Sequence, residues 1–212
     1  MSIKADNTRE HILNTAREHF LLYGLDGASL RNIVKDAGLT TGAFYKYFPT
    51  KESMFDALID PYVEHIHQIY DDVLAEFEVL SPDEQTRHMS ASSEDGINRI
   101  VDYVYLNYES FRLLLKCGDS GKYTAFIHSM VERETKSTLH YMETLRKAGL
   151  DIPDIDNSLL HMISTGFFSA VFQIIEHDIE KERAKENIAL LKKFQTGGWE
   201  RLLGVRFPKN PG

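Results

Sequence analysis

The chain has 212 residues, enough for one large domain or two small ones, and its 42% hydrophobic and 26% charged residues describe a globular composition rather than a disordered one. With 24 Lys/Arg against 32 Asp/Glu the net charge is −8, which excludes a protein held to nucleic acid by bulk charge. A lone cysteine, Cys117, excludes an intramolecular disulfide framework, and residues 1–6 lack the apolar core of a signal peptide, so a cytoplasmic location is expected.

The charge is unevenly spread. Residues 1–51 hold seven Lys/Arg against five acids and carry +2, which leaves −10 for the rest, a weakly basic head on an acidic body.

In chain order, Asn7-Thr8-Arg9-Glu10 reads as a capping box that opens a first helix. Ile12, Ala16, Phe20 and Tyr23 follow at helical spacing, and Gly24 ends the run. A second helix begins after Ser29, with Leu30, Ile33, Val34 and Ala37 apolar and Gly38 as its stop. A short third helix runs from Thr40 to about Tyr47. Pro49-Thr50 separates it from a long fourth helix that starts at Lys51, carries Phe55, Leu58, Ile59, Tyr62, Val63, Ile66, Ile69, Tyr70, Val73 and Phe77, and contains Pro61.

The polar stretch Leu80–Gly96 predicts a long loop. Helical periodicity resumes over 97–115, 123–147, 157–178 and 181–203, and the tail 206–212, with two prolines, is expected to fray. Residues 157–175 are free of formal charge over nearly a membrane-spanning length. Seven polar residues among them (Asn157, Ser158, His161, Ser164, Thr165, Ser169, Gln173) argue for a buried helix and against a membrane. The expected fold is all-α: a three-helix domain over residues 1–50, then a helical bundle over 51–212.

The segment Ser29–Phe48 has the parts of a helix-turn-helix. Ala37 permits close helix contact, Gly38 the left-handed turn, Leu39 fills the angle between helices, and Thr40 caps the next helix. At 100° per residue Ala43, Phe44, Tyr47 and Phe48 fall on one side of the third helix. Thr41, Gly42, Tyr45 and Lys46 fall on the other, with nothing apolar left to cover them. Such a free polar face suits the major groove, and Lys51 stands at a helix start where backbone N–H groups already attract phosphate. A merely solvated face is the simpler alternative, but an aromatic surface at Tyr45 is a costly thing to leave in water.

Residues 8–60 resemble the TetR/AcrR family of regulators through Ala16, Phe20, Tyr23-Gly24, Ser29-Leu30-Arg31-Asn32-Ile33, the run Ala37 to Phe48, and Lys51-Glu52. The resemblance implies phosphate contacts for Ser29, Arg31, Thr41, Tyr45, Tyr47 and Lys51, with Thr40, Gly42 and Lys46 near enough to help or to read bases. Val34-Lys35 departs from the more usual Ala-x pair, and the helical wheel turns Tyr47 toward the core flank. The resemblance further implies a homodimer on a pseudo-palindromic operator, a small-molecule effector, and repression.

The acidic body resembles the family's regulatory region in helix count and in its closing Phe194…Gly198-Trp199…Leu202-Leu203-Gly204. Ile163, Phe167, Ala170, Val171, Ile174, Ile188, Leu191, Phe194, Trp199 and Leu202 are the residues expected at a dimer seam. Gly166 and Ala170 allow close helix approach, and Gly197-Gly198 costs about 1 kcal/mol per residue inside a helix unless close contact offsets it. Tyr62, His65, Ile66, Tyr103, Phe126, Met130, Met162 and Phe167 are the candidates for an effector pocket, although such a stripe is more often simply core.

Other signals carry less. Gly118-Asp-Ser-Gly121-Lys122 has two residues between its glycines instead of four and follows a helix, so it reads as a turn and not a phosphate loop. His65 and His67 face apart, and His128 with Glu132 makes a weak metal pair, so no metal or cofactor is expected. Cys117 reads as a buried thiol, and no catalytic constellation is present. A sensor module acting through a protein partner is the main rival to DNA binding, and an enzyme using the body cavity is the weaker one.

Overall fold

The computed structural model describes residues 3–118 and 121–207. The middle of the Gly118–Lys122 turn and the proline-bearing end of the tail lie outside the described residues. Among the described residues the chain forms nine helices and no strand: α1 (Ile3–Gly27), α2 (Leu30–Asp36), α3 (Thr41–Phe44), α4 (Lys51–Glu78), α5 (Pro82–Leu106), α6 (Tyr108–Lys116), α7 (Lys122–Lys147), α8 (Asn157–Glu176) and α9 (Lys181–Leu203). The all-α expectation holds.

Two compact units emerge from the packing, one of Met1–Glu64 with Asn107–Ala125 and one of His65–Leu106 with Phe126–Gly212. In the first, Ile12, Ala16 and Phe20 of α1 bury with Ile33 and Val34 of α2, Phe44 of α3, Phe48, and Phe55 and Leu58 of α4. Phe20 and Phe55 meet edge to face at 5.8 Å. Cys117 is buried in the same unit, its thiol 4.0 Å from the Phe20 carbonyl, as a buried thiol should be. Lys122 bridges Asp56 at 2.9 Å and Asp60 at 3.0 Å, tying the start of α7 to α4.

The second unit packs Phe77, Tyr141, Met142, Leu145, Leu160, Leu203 and Phe207 into one cluster. Asp102 receives both Lys181 and Lys185 at 2.8 Å, and the Tyr105 hydroxyl donates to the Ile179 carbonyl at 2.6 Å, which fixes the start of α9 against α5. Asp156 and Glu180 cap α8 and α9 by accepting from backbone N–H groups of their first turns.

Four expectations need correction. Asn7 does not open α1: the helix is already formed at Ile3, because Lys4 and Ala5 are good helix formers and carry it past the apparent capping box. Gly24 does break the helical backbone, at φ 72°, but one more turn follows it to Gly27.

The polar stretch expected as a loop is the first half of α5. Ser81-Pro82-Asp83-Glu84 is itself a capping box with proline in the first helical position: the Ser81 N–H donates to Glu84 Oε2 at 3.0 Å, and Ser81 Oγ accepts from the Glu84 N–H at 3.4 Å. The run expected over 97–115 is interrupted at Asn107, whose φ and ψ of −121° and 35° end α5 before α6 begins. This is also where the chain passes from the second unit back to the first.

Helix α8 is buried on one face only. Leu160, Ser164, Phe168, Val171, Phe172, Ile174 and Ile175 are inside, whereas Leu159, Met162, Gly166 and Gln173 are exposed. Its length and composition alone would suit a membrane span; its inward face is committed to the core of this unit.

Candidate functional site

The head is positioned by backbone capping at each junction. Ser29 stands in extended conformation, and its hydroxyl accepts from the Asn32 N–H at 3.4 Å to open α2. At the other end the N–H of Gly38 bonds the Lys35 carbonyl at 3.0 Å and the N–H of Leu39 bonds the Val34 carbonyl at 3.1 Å. This paired closure requires a left-handed residue, and Gly38 supplies it at φ 65°. Thr40 then caps α3, its Oγ1 accepting from the Ala43 N–H at 3.3 Å.

The third helix is shorter than its apolar spacing suggests. Regular helix covers Thr41–Phe44, and the N–H of Tyr47 bonds the Phe44 carbonyl at 2.8 Å, a tighter three-residue closure. The two faces are nonetheless those of the wheel. Phe44 and Phe48 are buried and Ala43 and Tyr47 half-buried, while Thr41, Gly42, Tyr45 and Lys46 are exposed. Tyr45 leaves 50% of its surface in solvent while its ring edge meets Phe44 at 5.7 Å. Arg9 lies 5.3 Å over the Phe48 ring, which closes the inner side of this corner.

Ser29, Arg31 and Thr40 are exposed beside α3. Lys51 is different: its ammonium donates to the carbonyls of Asp26 and Ala28 at 3.2 and 3.3 Å. Two of its three donors are spent on the end of α1, so it joins two helices as well as offering charge at the start of α4.

The second unit holds a cavity of about 150 Å³ between α4, α5, α7, α8 and α9. Aromatic walls come from Tyr70, Phe77, Phe167, Phe168 and Trp199; Ser93, Ser137, Thr138, Glu134 and Lys192 make it polar on one side. The Tyr70 hydroxyl donates to Glu134, and Lys192 bonds the Ser93 hydroxyl. Lost hydration holds Lys192 down to about 8, with Glu134 and Glu94 pulling the other way. Burial and the Glu134 carboxylate push the Tyr70 hydroxyl well above its ordinary range.

Of the eight residues expected around an effector, Phe167 lines this cavity. Ile66, Phe126 and Met130 are core, Phe126 edge-on to Phe172 at 4.9 Å. His65 stacks near Tyr103 at 4.3 Å, Tyr62 lies beside Phe111, and Met162 is 68% exposed. The expectation followed the most apolar helical positions, which close-packed side chains occupy; the space sits beside serines. Lys192, the first of a Lys192-Lys193 pair after the apolar run Ile188–Leu191, was the available signal.

Of the ten seam residues, Val171, Ile174 and Ile188 are buried within the chain and cannot face a second copy, because the apolar stripe of α8 and α9 is wide enough to serve their own core. Ile163, Phe167, Ala170, Leu191, Trp199 and Leu202 are half-buried, and Ile163, Phe167 and Trp199 border the cavity. Phe194 is 77% exposed. Leu159, Met162 and Leu190 are exposed with it, and a Cβ added at Gly166, Gly197 or Gly198 would meet nothing within 4 Å. His128 and Glu132 pair at 3.2 Å, and among the described residues no group of three or more ligating side chains gathers for a metal.

A short helix with an exposed polar face, fixed through a glycine turn against two supporting helices and followed by an all-helical body, defines a helix-turn-helix protein. Residues 12–58 match the family model for bacterial regulatory proteins of the tetR family. It is 33% identical over 76 residues to the HTH-type transcriptional regulator YdgC of Bacillus subtilis, 36% of this chain and 39% of that one. With the HTH-type transcriptional regulator UidR of Escherichia coli K12 it shares 39% over 59 residues, 28% of this chain and 30% of the relative. With the HTH-type transcriptional repressor NemR of the same strain it shares 36% over 62 residues, 29% and 31% of the two chains.

The sequence similarity thus spans well under half of these relatives. The fold extends further: a putative TetR-family regulator from Syntrophomonas wolfei superposes with a TM-score of 0.58 at 16% identity, over 90% of this chain and 95% of that one. A TerR/AcrR-family regulator from Aquifex aeolicus gives 0.57 at 21% identity, over 89% and 97%.

Proposed function

We propose that the protein is a cytoplasmic, ligand-responsive transcriptional repressor that binds a pseudo-palindromic operator as a homodimer. Residues 1–50 are the reader and 51–212 the effector-binding and dimerisation body. The observation that carries the reading is the outward face of Thr41, Gly42, Tyr45 and Lys46, held on a capped α3 whose opposite side is buried. Ser29, Arg31, Thr40 and Tyr47 flank that face and Lys51 opens the helix behind it; these contact the backbone and fix the register of the reader on the duplex.

A reader this short and this weakly charged needs a second half-site, about 34–36 Å away, to reach useful affinity. The open face of Leu159, Met162 and Gly166 on α8 and of Leu190, Phe194 and Gly197-Gly198 on α9 supports a four-helix seam between two copies. Large apolar side chains beside exposed glycines fit the close approach of another helix better than they fit water. Effector binding in the body shifts the population toward a conformer with a tilted α4 and a changed separation of the two readers, which lowers operator affinity.

Selection of random duplexes by the purified protein tests the central claim. Enrichment of a two-fold symmetric sequence is expected, and failure to enrich any sequence refutes operator binding.

A further inference from the structure

The cavity of the second unit names a ligand chemistry, given the reading of that unit as an effector-binding body. Among the described residues its one cationic wall residue is Lys192, half-buried on α9, with Nζ bonded to Ser93 and 5.9 Å from the centre of the Phe167 ring. No carboxylate among the described residues comes within 4.0 Å of that ammonium, so it is a cation without a contact counterion. An ammonium has three donors, and the Ser93 hydroxyl takes one. Glu134, the nearest wall carboxylate, already accepts the Tyr70 hydroxyl. Opposite the serines the walls are apolar and carry the rings of Phe77, Phe167, Phe168 and Trp199, and a volume of about 150 Å³ matches the size of cavity that accepts a single benzene ring.

From this juxtaposition we infer that the effector is a small monocyclic aromatic acid, its carboxylate paired with Lys192 and Ser93 and its ring between Phe167, Phe168 and Trp199. The anion supplies a counterion to an ammonium that burial has stripped of much of its hydration, where a charge-assisted hydrogen bond is strong. A neutral ligand of the same shape leaves the ammonium as it is, and a cationic one meets repulsion. The charged and titratable groups around Lys192 are Tyr70 from α4, Glu94 from α5 and Glu134 from α7.

The test is calorimetric titration of the full-length protein with three probes of one shape: phenylacetate, 2-phenylacetamide and 2-phenylethylammonium. Saturable binding of one phenylacetate per chain is expected, at least tenfold tighter than the amide. Lys192 becomes neutral as pH rises through about 8, so phenylacetate affinity should fall about tenfold between pH 7 and 9 while that of the amide stays constant. Lys192→Met should remove the preference for the acid, and Ser93→Ala, a milder change, should reduce it.

Equal affinity for acid and amide, tighter binding of the ammonium probe, an acid preference that survives in Lys192→Met, or no binding of any probe would each overturn the inference. Operator selection with the unliganded wild-type protein separates the two claims. A protein that enriches a symmetric operator and ignores phenylacetate loses this inference and keeps the regulatory reading; one that binds phenylacetate and enriches no operator does the reverse.

Discussion

Phe44 and Phe48 lie with ring centroids 6.3 Å apart, both buried, so Tyr45 and Lys46 between them are turned outward. The proposed reading face follows from that pair. Tyr45→Ala and Lys46→Ala should each weaken operator binding by about 1–3 kcal/mol for a lost base or phosphate contact and leave the melting temperature unchanged. Phe44→Ala should behave oppositely, destabilising the head by about 3–5 kcal/mol through the cavity it leaves. Thermal melts alongside fluorescence-anisotropy titrations distinguish the two. A fall in melting temperature with Tyr45→Ala would make that residue part of the packing and remove it from the reader.

The turn before α3 makes a second prediction. Gly38 sits at φ 65°, where a Cβ meets its own backbone even though the space around it is open. Gly38→Ala should therefore cost about 1–2 kcal/mol, and Thr40→Ala about 1 kcal/mol for the lost cap. Both should reduce operator affinity in step with head stability, as measured by urea denaturation. If Gly38→Ala were neutral, the paired closure from Lys35 and Val34 would not be what fixes the angle between α2 and α3.

The head was legible in the sequence because its determinants are local. Ser29, Gly38 and Thr40 act on neighbours three or four positions away, and the spacing of Phe44 and Phe48 settles which side of a short helix is wet. The body was less so. Ser81 and Glu84 form a capping box that the polar composition of the next dozen residues disguised as a loop. Val171, Ile174 and Ile188 were indistinguishable from seam residues, since a helix stripe does not say which neighbour covers it. The cavity is the furthest from sequence: Lys192 and Ser93 are brought together by tertiary packing across a wide gap in the chain.

His67 gives the body a pH dependence. Burial, with Arg133 adding to it and Asp71 opposing, lowers its pKa from the ordinary 6.5. Its Nε2 lies 2.6 Å from Ser129 Oγ, whose own hydrogen goes to the Phe126 carbonyl at 2.7 Å, so the ring donates as the neutral Nε2–H tautomer. A lowered folded pKa means that the unfolded chain binds more protons once pH falls below 6.5. This contribution to stability is therefore intact above that value, declines as pH falls from 6.5 toward the folded pKa, and levels off below it. His67→Gln should flatten the dependence of the melting temperature between pH 7 and 5. An unchanged slope would assign that pH dependence to other groups.

The proposed seam makes the most exacting prediction, because the residues that test it contribute little to the fold of a single chain. Leu190 is 65% exposed and Phe194, one turn later on α9, is 77% exposed, beside a Gly197-Gly198 pair where an added Cβ would meet nothing within 4 Å. Phe194→Glu places a charge where a copy of the same helix should lie and removes an aromatic anchor. Loss of such an anchor costs about 2 kcal/mol or more at an interface, so dimer dissociation should strengthen by at least about thirtyfold. Sedimentation velocity across a concentration series reads this directly, and circular dichroism should report an unchanged helix content. Operator affinity should fall with the dimer, since each reader alone spans one half-site. A wild-type protein that is monomeric at micromolar concentration, or a Phe194→Glu variant that still dimerises, would place the two-fold axis elsewhere on the body and leave the exposed α9 face without its proposed occupant.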